Sequence, residues 1–273
     1  MIQYNRKSHK KMNGKGTAMF DAKNAADEPK LIELTDFAYV RQEIDNMGWL
    51  DLGGVTVIVD ALEKEDAAAD VLRMLDETVR CDSIRYVCNT HTHYDHTALN
   101  PLFENEFGAA IINAGTCCIP AEGRWISGDT RSVQLLPLPD CHTHEDCVVW
   151  FPDAATLFIG DIFGWGLIPR GRMTADIAGH ISETYRRLIV FDADHVVPGH
   201  GPLCGTTELQ RWLEYFEWLP GAVRSAAAES DDKDAVLAAV PVPDDMSDWW
   251  RFRAWKHENN VDKVYRAVQA GRL

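Results

Sequence analysis

The segment that constrains this chain most is Asn89-Thr90-His91-Thr92-His93-Tyr94-Asp95-His96, which follows directly on the apolar run Ile84-Arg85-Tyr86-Val87-Cys88. Three imidazoles and a carboxylate crowded at a strand end are costly. Histidine and aspartate do not favour strands, and packed together they repel or stay unsatisfied. A divalent metal removes that cost, because neutral imidazole and carboxylate are its natural ligands. In an extended or turning loop His91 and His93 face the same way, and Asp95 and His96 turn toward a second ion.

Three further candidates stand downstream, each beside an apolar segment. His142 lies in Asp140-Cys141-His142-Thr143, ahead of Cys147-Val148-Val149-Trp150-Phe151. Asp161 closes Leu157-Phe158-Ile159-Gly160, and His200 sits in Val197-Pro198-Gly199-His200-Gly201. Ligands at strand ends are held by a rigid frame, which is what a fixed coordination geometry needs. The intervening chain supplies that frame. Gly54 to Asp60, Ile84 to Cys88, Ala109 to Ile112, Val133 to Leu136, Cys147 to Phe151, Ala155 to Ile159 and Ala193 to Val197 read as short strands. Pro152-Asp153-Ala154 reads as a hairpin turn. Glu63 to Val79 and Thr174 to Val190 carry helical apolar faces. Thr206 to Glu229 reads as a helix capped by Thr206, with a break or kink at Pro220-Gly221. Asp248 to Val268 reads as a last, aromatic-rich helix. Residues 1 to 30 are polar and without periodicity, so a flexible tail is expected there, with one domain over 31 to 273.

From about residue 31 to 230, in order and spacing, the chain resembles the metallo-β-lactamase superfamily: an HxHxDH motif, a later His, a strand ending in Gly-Asp and a Pro-Gly-His turn. The resemblance implies an α/β fold, a four-layer αββα sandwich with metals at the edge between its two β-sheets. It implies that His91, His93 and His142 hold one metal, that Asp95, His96 and His200 hold a second, and that Asp161 bridges them. His142 fits the family's placement, five residues ahead of Cys147 and followed by Thr, and His144 does not. His144 is left to line the pocket. Asp146 is expected to orient a ligand by accepting its other ring N–H. Cys141 and Cys204 adjoin proposed ligands, but Asp95 fills the role that a Cys takes in some lactamases, so both are read as non-ligands. His9, His180, His195 and His257 match no ligand position.

The reaction implied is hydrolysis by a binuclear centre, in which a metal-bridging hydroxide attacks an ester, lactone, thioester or amide bond of a small molecule. Zinc is the first expectation for the two divalent ions; the same ligands serve iron and manganese. Asp95 takes a catalytic role, shuttling the proton to the leaving group. No GxSxG elbow suggests a serine nucleophile. Phe163, Trp165 and Ile168 form an apolar pocket wall or ordinary core, and Trp125 has the same two readings. Arg170 and Arg172 bind a substrate carboxylate or are solvated. Trp249, Trp250, Phe252 and Trp255 pack on the core or meet another subunit, which leaves a homo-oligomer open. A mononuclear-iron persulfide dioxygenase using His91, His142 and Asp161 is the rival reading on this fold. The complete second ligand set argues against it, and against a non-catalytic binding module. The diiron flavoprotein branch has Glu where this chain has His93.

Composition narrows the partners. A net charge of -15 repels phosphate backbones, so nucleic acid is not expected. No apolar run reaches the ~18 residues of a membrane helix. Met1 to Phe20 is basic without an apolar core, unlike a secretory signal. Seven cysteines without a CxxC pair suit free thiols in a reducing cytoplasm. At 273 residues the chain can bury a full core without such staples.

Overall fold

Strands covered on both faces read as near-continuous apolar runs, and strands covered on one face alternate. The computed structural model of the protein describes residues 29–117 and 119–273 and has strands of the first kind at its centre. The expected tail falls outside the described residues, apart from Pro29 and Lys30; Lys30 already opens the first strand. β1 (Lys30–Thr35), β2 (Ala38–Gln42), β3 (Asn46–Asp51), β4 (Thr56–Val59), β5 (Ile84–Cys88) and β6 (Ala110–Ile112) form one sheet in that order. It is antiparallel from β1 to β4 and parallel from β4 to β6. β7 (Arg124–Ser127), β8 (Ser132–Pro137), β9 (Cys147–Phe151), β10 (Thr156–Gly160) and β11 (His195–Pro198) form the second, in the order β11-β10-β9-β8-β7. There only β10 and β11 are parallel.

Alternation along each strand divides the core into three layers. Val57 and Val59 of β4 enter the space between the sheets, where Phe158 of β10 meets them, while Ile58 turns to the opposite face. Leu157 and Ile159 of β10 likewise turn outward. α1 (Ala68–Thr78) and α2 (Asn100–Phe107) cover the first sheet through Val71, Met74, Leu75 and Phe103. α3 (Ala175–Ile189), α4 (Thr206–Glu229) and α6 (His257–Gln269) cover the second through Tyr185, Leu188, Trp212, Phe216 and Val264; α5 (Lys233–Ala239) adds Val236. The result is the αββα sandwich expected from the sequence. No helix among the described residues is long and apolar enough to cross a membrane.

The structure corrects several local readings. β1, β2, β3, β7 and α2 are not legible in the sequence. In β2 and β3 the run is interrupted by buried Arg41, Gln42 and Asn46, whose polarity masks a fully buried strand pair. Thr206 does not cap α4: Gly205 precedes the helix, its N–H donates to Glu208 at 2.8 Å, and the Thr206 hydroxyl donates to Ala193 O. α4 runs unbroken through Pro220. The final helix begins late, with a π-helical turn at Phe252–Lys256 after Arg251 in the left-handed region (φ 57°). Of the two readings given for Phe163, Trp165 and Ile168 the structure bears out the core, whereas Trp125 fits neither and is exposed on β7.

Candidate metal centre

Strands β5, β10 and β11 run into one edge of the sandwich, and each delivers candidate ligands just past its C-terminal end. β5 leads to His91 and His93 and then to a 3-10 turn, Tyr94–His96, holding Asp95 and His96. β10 leads to Asp161 and β11 to His200, and His142 enters from the β8–β9 connection. Backbone hydrogen bonds stitch these loops together. Cys147 N donates to Thr90 O at 2.8 Å, and Gly199 N to Gly160 O at 2.9 Å. The buried Asn46 amide donates to both Pro198 O and Gly201 O at 2.8 Å, bracketing His200. The Asn89 amide fixes His96 O at 2.8 Å.

All seven candidates converge, in two groups: His91, His93 and His142, and Asp95, His96, Asp161 and His200. In the first, His93 Nδ1 lies 3.1 Å from His91 Nε2 and 3.2 Å from His142 Nε2. A tetrahedral ion about 2.0–2.1 Å from each imidazole nitrogen needs its donors about 3.3 Å apart. In the second, His200 Nε2 lies 3.2 Å from Asp95 Oδ2 and 3.4 Å from Asp161 Oδ1. His96 Nε2, also 3.4 Å from Asp161 Oδ1, is buried without a hydrogen-bond partner. A buried nitrogen left unpaired is costly, and a cation between it and the carboxylates would satisfy it. Asp161 turns Oδ2 the other way, 3.7 Å from His142 Nε2. Its two oxygens therefore face the two groups.

The electrostatics of the two groups suit bound cations. Burial opposes charging of His200, but Asp161 and Asp95 outweigh it and push the imidazole up to about 9. Burial likewise opposes His96, whose neighbours Asp60 and Asp161 raise it well above the usual histidine range. The hydrogen bond from His200 brings Asp95 down to about 2. Asp161, despite burial, sits well below the carboxylate range because His200 and His96 face it. In the first group burial and the neighbouring His96 push His91 down to about 2, leaving it neutral with a free lone pair.

The residue that sequence reasoning missed is Asp60. It is buried and accepts from Thr90 N at 2.7 Å, from the Thr90 hydroxyl, and from His96 Nδ1 at 3.0 Å. A proton on Nδ1 leaves Nε2 as the donor atom facing the second group. The signal is present: Val57-Ile58-Val59-Asp60 is an apolar strand closed by a carboxylate, as is the strand that ends at Asp161. Asp60→Asn is expected to weaken metal binding by about 10- to 100-fold in a chelator-competition titration. An unchanged affinity would remove Asp60 from the site.

His142 is oriented from two sides. Its Nδ1 meets Pro169 O at 3.2 Å, and Asp146 accepts from His142 N (2.6 Å), Thr143 N (2.9 Å) and the Thr143 hydroxyl (2.7 Å). Asp146 thus orients the ligand loop through its backbone and not, as expected, through the ring. His144 is exposed, paired with Asp140, and belongs to neither group. Cys141 and Cys204 are fully buried in the core and belong to neither. His180 and His257 donate to the carbonyls of Pro139 and Val240. His195 is half-buried on β11, and His9 lies outside the described residues. Beside the His142 loop, Asp140, His144, Arg170, Arg172, Asp176 and His180 line a cavity of about 560 Å³. Arg170 is tied to Asp140, whereas Arg172 lines the cavity without an ion-pair partner among the described residues.

Comparison with known proteins bears on the same segment. The family described as the metallo-beta-lactamase superfamily matches residues 41–116, which include the HxHxDH motif. A hydroxyacylglutathione hydrolase from Rhodospirillum rubrum is 26% identical over 191 residues, covering 66% of this chain and 71% of that enzyme. The sec-alkylsulfatase Pisa1 from Pseudomonas sp. superposes with a TM-score of 0.65 at 16% identity over 87% of this chain, which spans 50% of the sulfatase. A metallo-beta-lactamase from Pontibacter korlensis superposes with a TM-score of 0.55 at 15% identity, covering 70% of this chain and 99% of that one. The αββα fold, the family match over the motif and the convergence of these histidines and aspartates at one sandwich edge agree in likening the chain to the metallo-β-lactamase superfamily.

Proposed function

We propose that this protein is a metal-dependent hydrolase that holds two divalent ions, zinc first among them, and cleaves a small-molecule ester, lactone, thioester or amide. The observation that carries the reading is Asp161, whose two oxygens point to two separate donor groups. His91, His93 and His142 would hold one ion, Asp95, His96 and His200 the other, with Asp161 shared. When bound, the ions supply Lewis acidity toward the scissile bond and acidify water near neutral pH. The chain's own residues do the rest. Asp95 is only half-buried, ionised at neutral pH, and beside His200, where it can take a proton and return it to the leaving group. Asp60 and the Pro169 carbonyl fix the imidazole tautomers of His96 and His142. The hydroxyacylglutathione hydrolase relative favours a thioester among the candidate bonds.

The cavity beside His142 supports a substrate with an anionic end directed at Arg172. Arg172→Ala is then expected to raise KM for carboxylate-bearing substrates by about two- to fivefold, the range of an exposed ion pair, with kcat kept. An equal change for neutral esters would exclude that contact.

Elemental analysis of protein purified without added metal tests the main reading. About two zinc or manganese ions per chain, with turnover in a panel of thioesters, lactones, β-lactams and phosphodiesters, is the expected result. About one iron per chain, lost on His142→Ala but retained on His96→Ala, would replace it with the mononuclear-iron dioxygenase and move the panel to sulfur substrates.

A further inference from the structure

The loop of residues 162–169 leaves Asp161 and ends at Pro169, whose carbonyl receives His142 Nδ1. It therefore touches the metal site at both ends. Within it only an isolated bridge, Gly164 with Leu167, supplies regular pairing. Its backbone groups are held instead by side chains: Tyr185 of α3 donates to Ile162 O at 2.7 Å, and the others are gripped from the C-terminal segment. Asn260 is fully buried, accepts from Ile168 N at 2.8 Å and donates to Gly166 O at 2.6 Å. Lys263 Nζ donates to Ile168 O at 2.9 Å, and Lys256 Nζ to Gly164 O at 2.7 Å. Their spacing, four residues and then three, puts all of them on one helical face.

An inward face that served packing alone would be apolar, because desolvating an ammonium group is expensive. Here two lysines turn toward carbonyls, and neither has a carboxylate in ion-pair range among the described residues. Burial brings Lys256 down to about 7. The face reads the backbone of one loop, position by position.

We propose that Asn260 is a positioning residue for His142. By holding Gly166 and Ile168 it sets the place of the Pro169 carbonyl, and that carbonyl sets the tautomer and aim of the imidazole. The proposal rests on the reading of His142 as a metal ligand. The chain's C-terminal segment then acts most directly on the ion of His142, because His96 and His200 are oriented by Asp60 and Asn46.

The test is titration of the full-length, metal-free protein with Zn2+ against a chromophoric chelator, for wild type, Asn260→Ala, Lys263→Met and His142→Ala. Wild type is expected to bind two ions. Asn260→Ala should bind one as wild type does and the other about tenfold more weakly, the lower range for a group that orients a ligand. His142→Ala should lose that same weakened ion. Lys263→Met, which removes one contact to the loop, should shift it in the same direction and serves if Asn260→Ala fails to fold. A structural role would lower both affinities together or neither. Equal weakening of both ions, or wild-type binding by both loop variants, overturns the proposal alone if His142→Ala still loses one ion. Wild-type binding by His142→Ala overturns it together with the reading of the site.

Discussion

Asp161→Ala is expected to lower kcat/KM by about three orders of magnitude, at the upper end of what a single preorganised electrostatic group contributes. The expectation follows from how many groups depend on this carboxylate. Oδ1 lies 3.4 Å from both His96 Nε2 and His200 Nε2, and Oδ2 faces His142. Removing it leaves three imidazoles facing one another with no shared anion. Asp95 cannot replace it even within the second group, since it approaches His200 to 3.2 Å and His96 only to 4.0 Å. Metal content should fall with activity, so elemental analysis accompanies the kinetics. On the proposed two-ion reading, Asp161→Asn, of the same shape but without charge, should retain more of the first ion than of the second, because the second group loses one of its two carboxylates. A variant that keeps both ions and full turnover would show that the two groups do not act through a common ligand.

The chemistry is more legible in the sequence than the frame that carries it. His91, His93, Asp95, His96, His142, Asp161 and His200 stand where apolar runs stop, and metal binding restricts residue type so tightly that packing alone rarely produces such a pattern. The structure brings all seven together. Strands β9, β10 and β11 are readable because both faces are largely covered and their runs are continuous, and β5 is readable from Val87, Cys88 and the motif that follows them. β2 and β3 are not, because their buried polar residues answer to distant partners. Arg41 meets Asp70, and Asn46 meets the Pro198 and Gly201 carbonyls. Such pairings carry no local period. Asp60 escapes for a similar reason: a lone carboxylate after a strand acquires meaning only once His96, distant in sequence, is folded against it. Asp146 stands out in the sequence, but its action through the His142 backbone depends on a loop conformation that residue types do not encode.

Gly199→Ala is expected to cost about 100-fold in activity although it alters no candidate ligand. A Cβ at position 199 would stand 2.3 Å from Asp161 Oδ1 and 2.6 Å from His96 Cε1, far inside van der Waals contact. Neither neighbour has room to retreat. His96 is fixed through Nδ1 by Asp60 and through its carbonyl by Asn89. Asp161 follows Gly160, whose carbonyl accepts from Gly199 itself. The methyl group must therefore push the shared carboxylate aside, and a displacement of about 1 Å at a reacting centre costs about 10²-fold. Stability should fall by about 1–3 kcal/mol, as for other overpacked sites. Gly179→Ala is the control. That glycine lies in α3 with nothing within 4 Å of its added Cβ, so alanine should stabilise the helix by about 0.5–1 kcal/mol and leave turnover unchanged. Thermal unfolding, kcat/KM and metal content of the two variants separate a general packing loss from a displaced ligand. If Gly199→Ala kept both ions and full turnover, Asp161 and His96 would not be required where they now stand, and the site would have to be drawn from the remaining histidines.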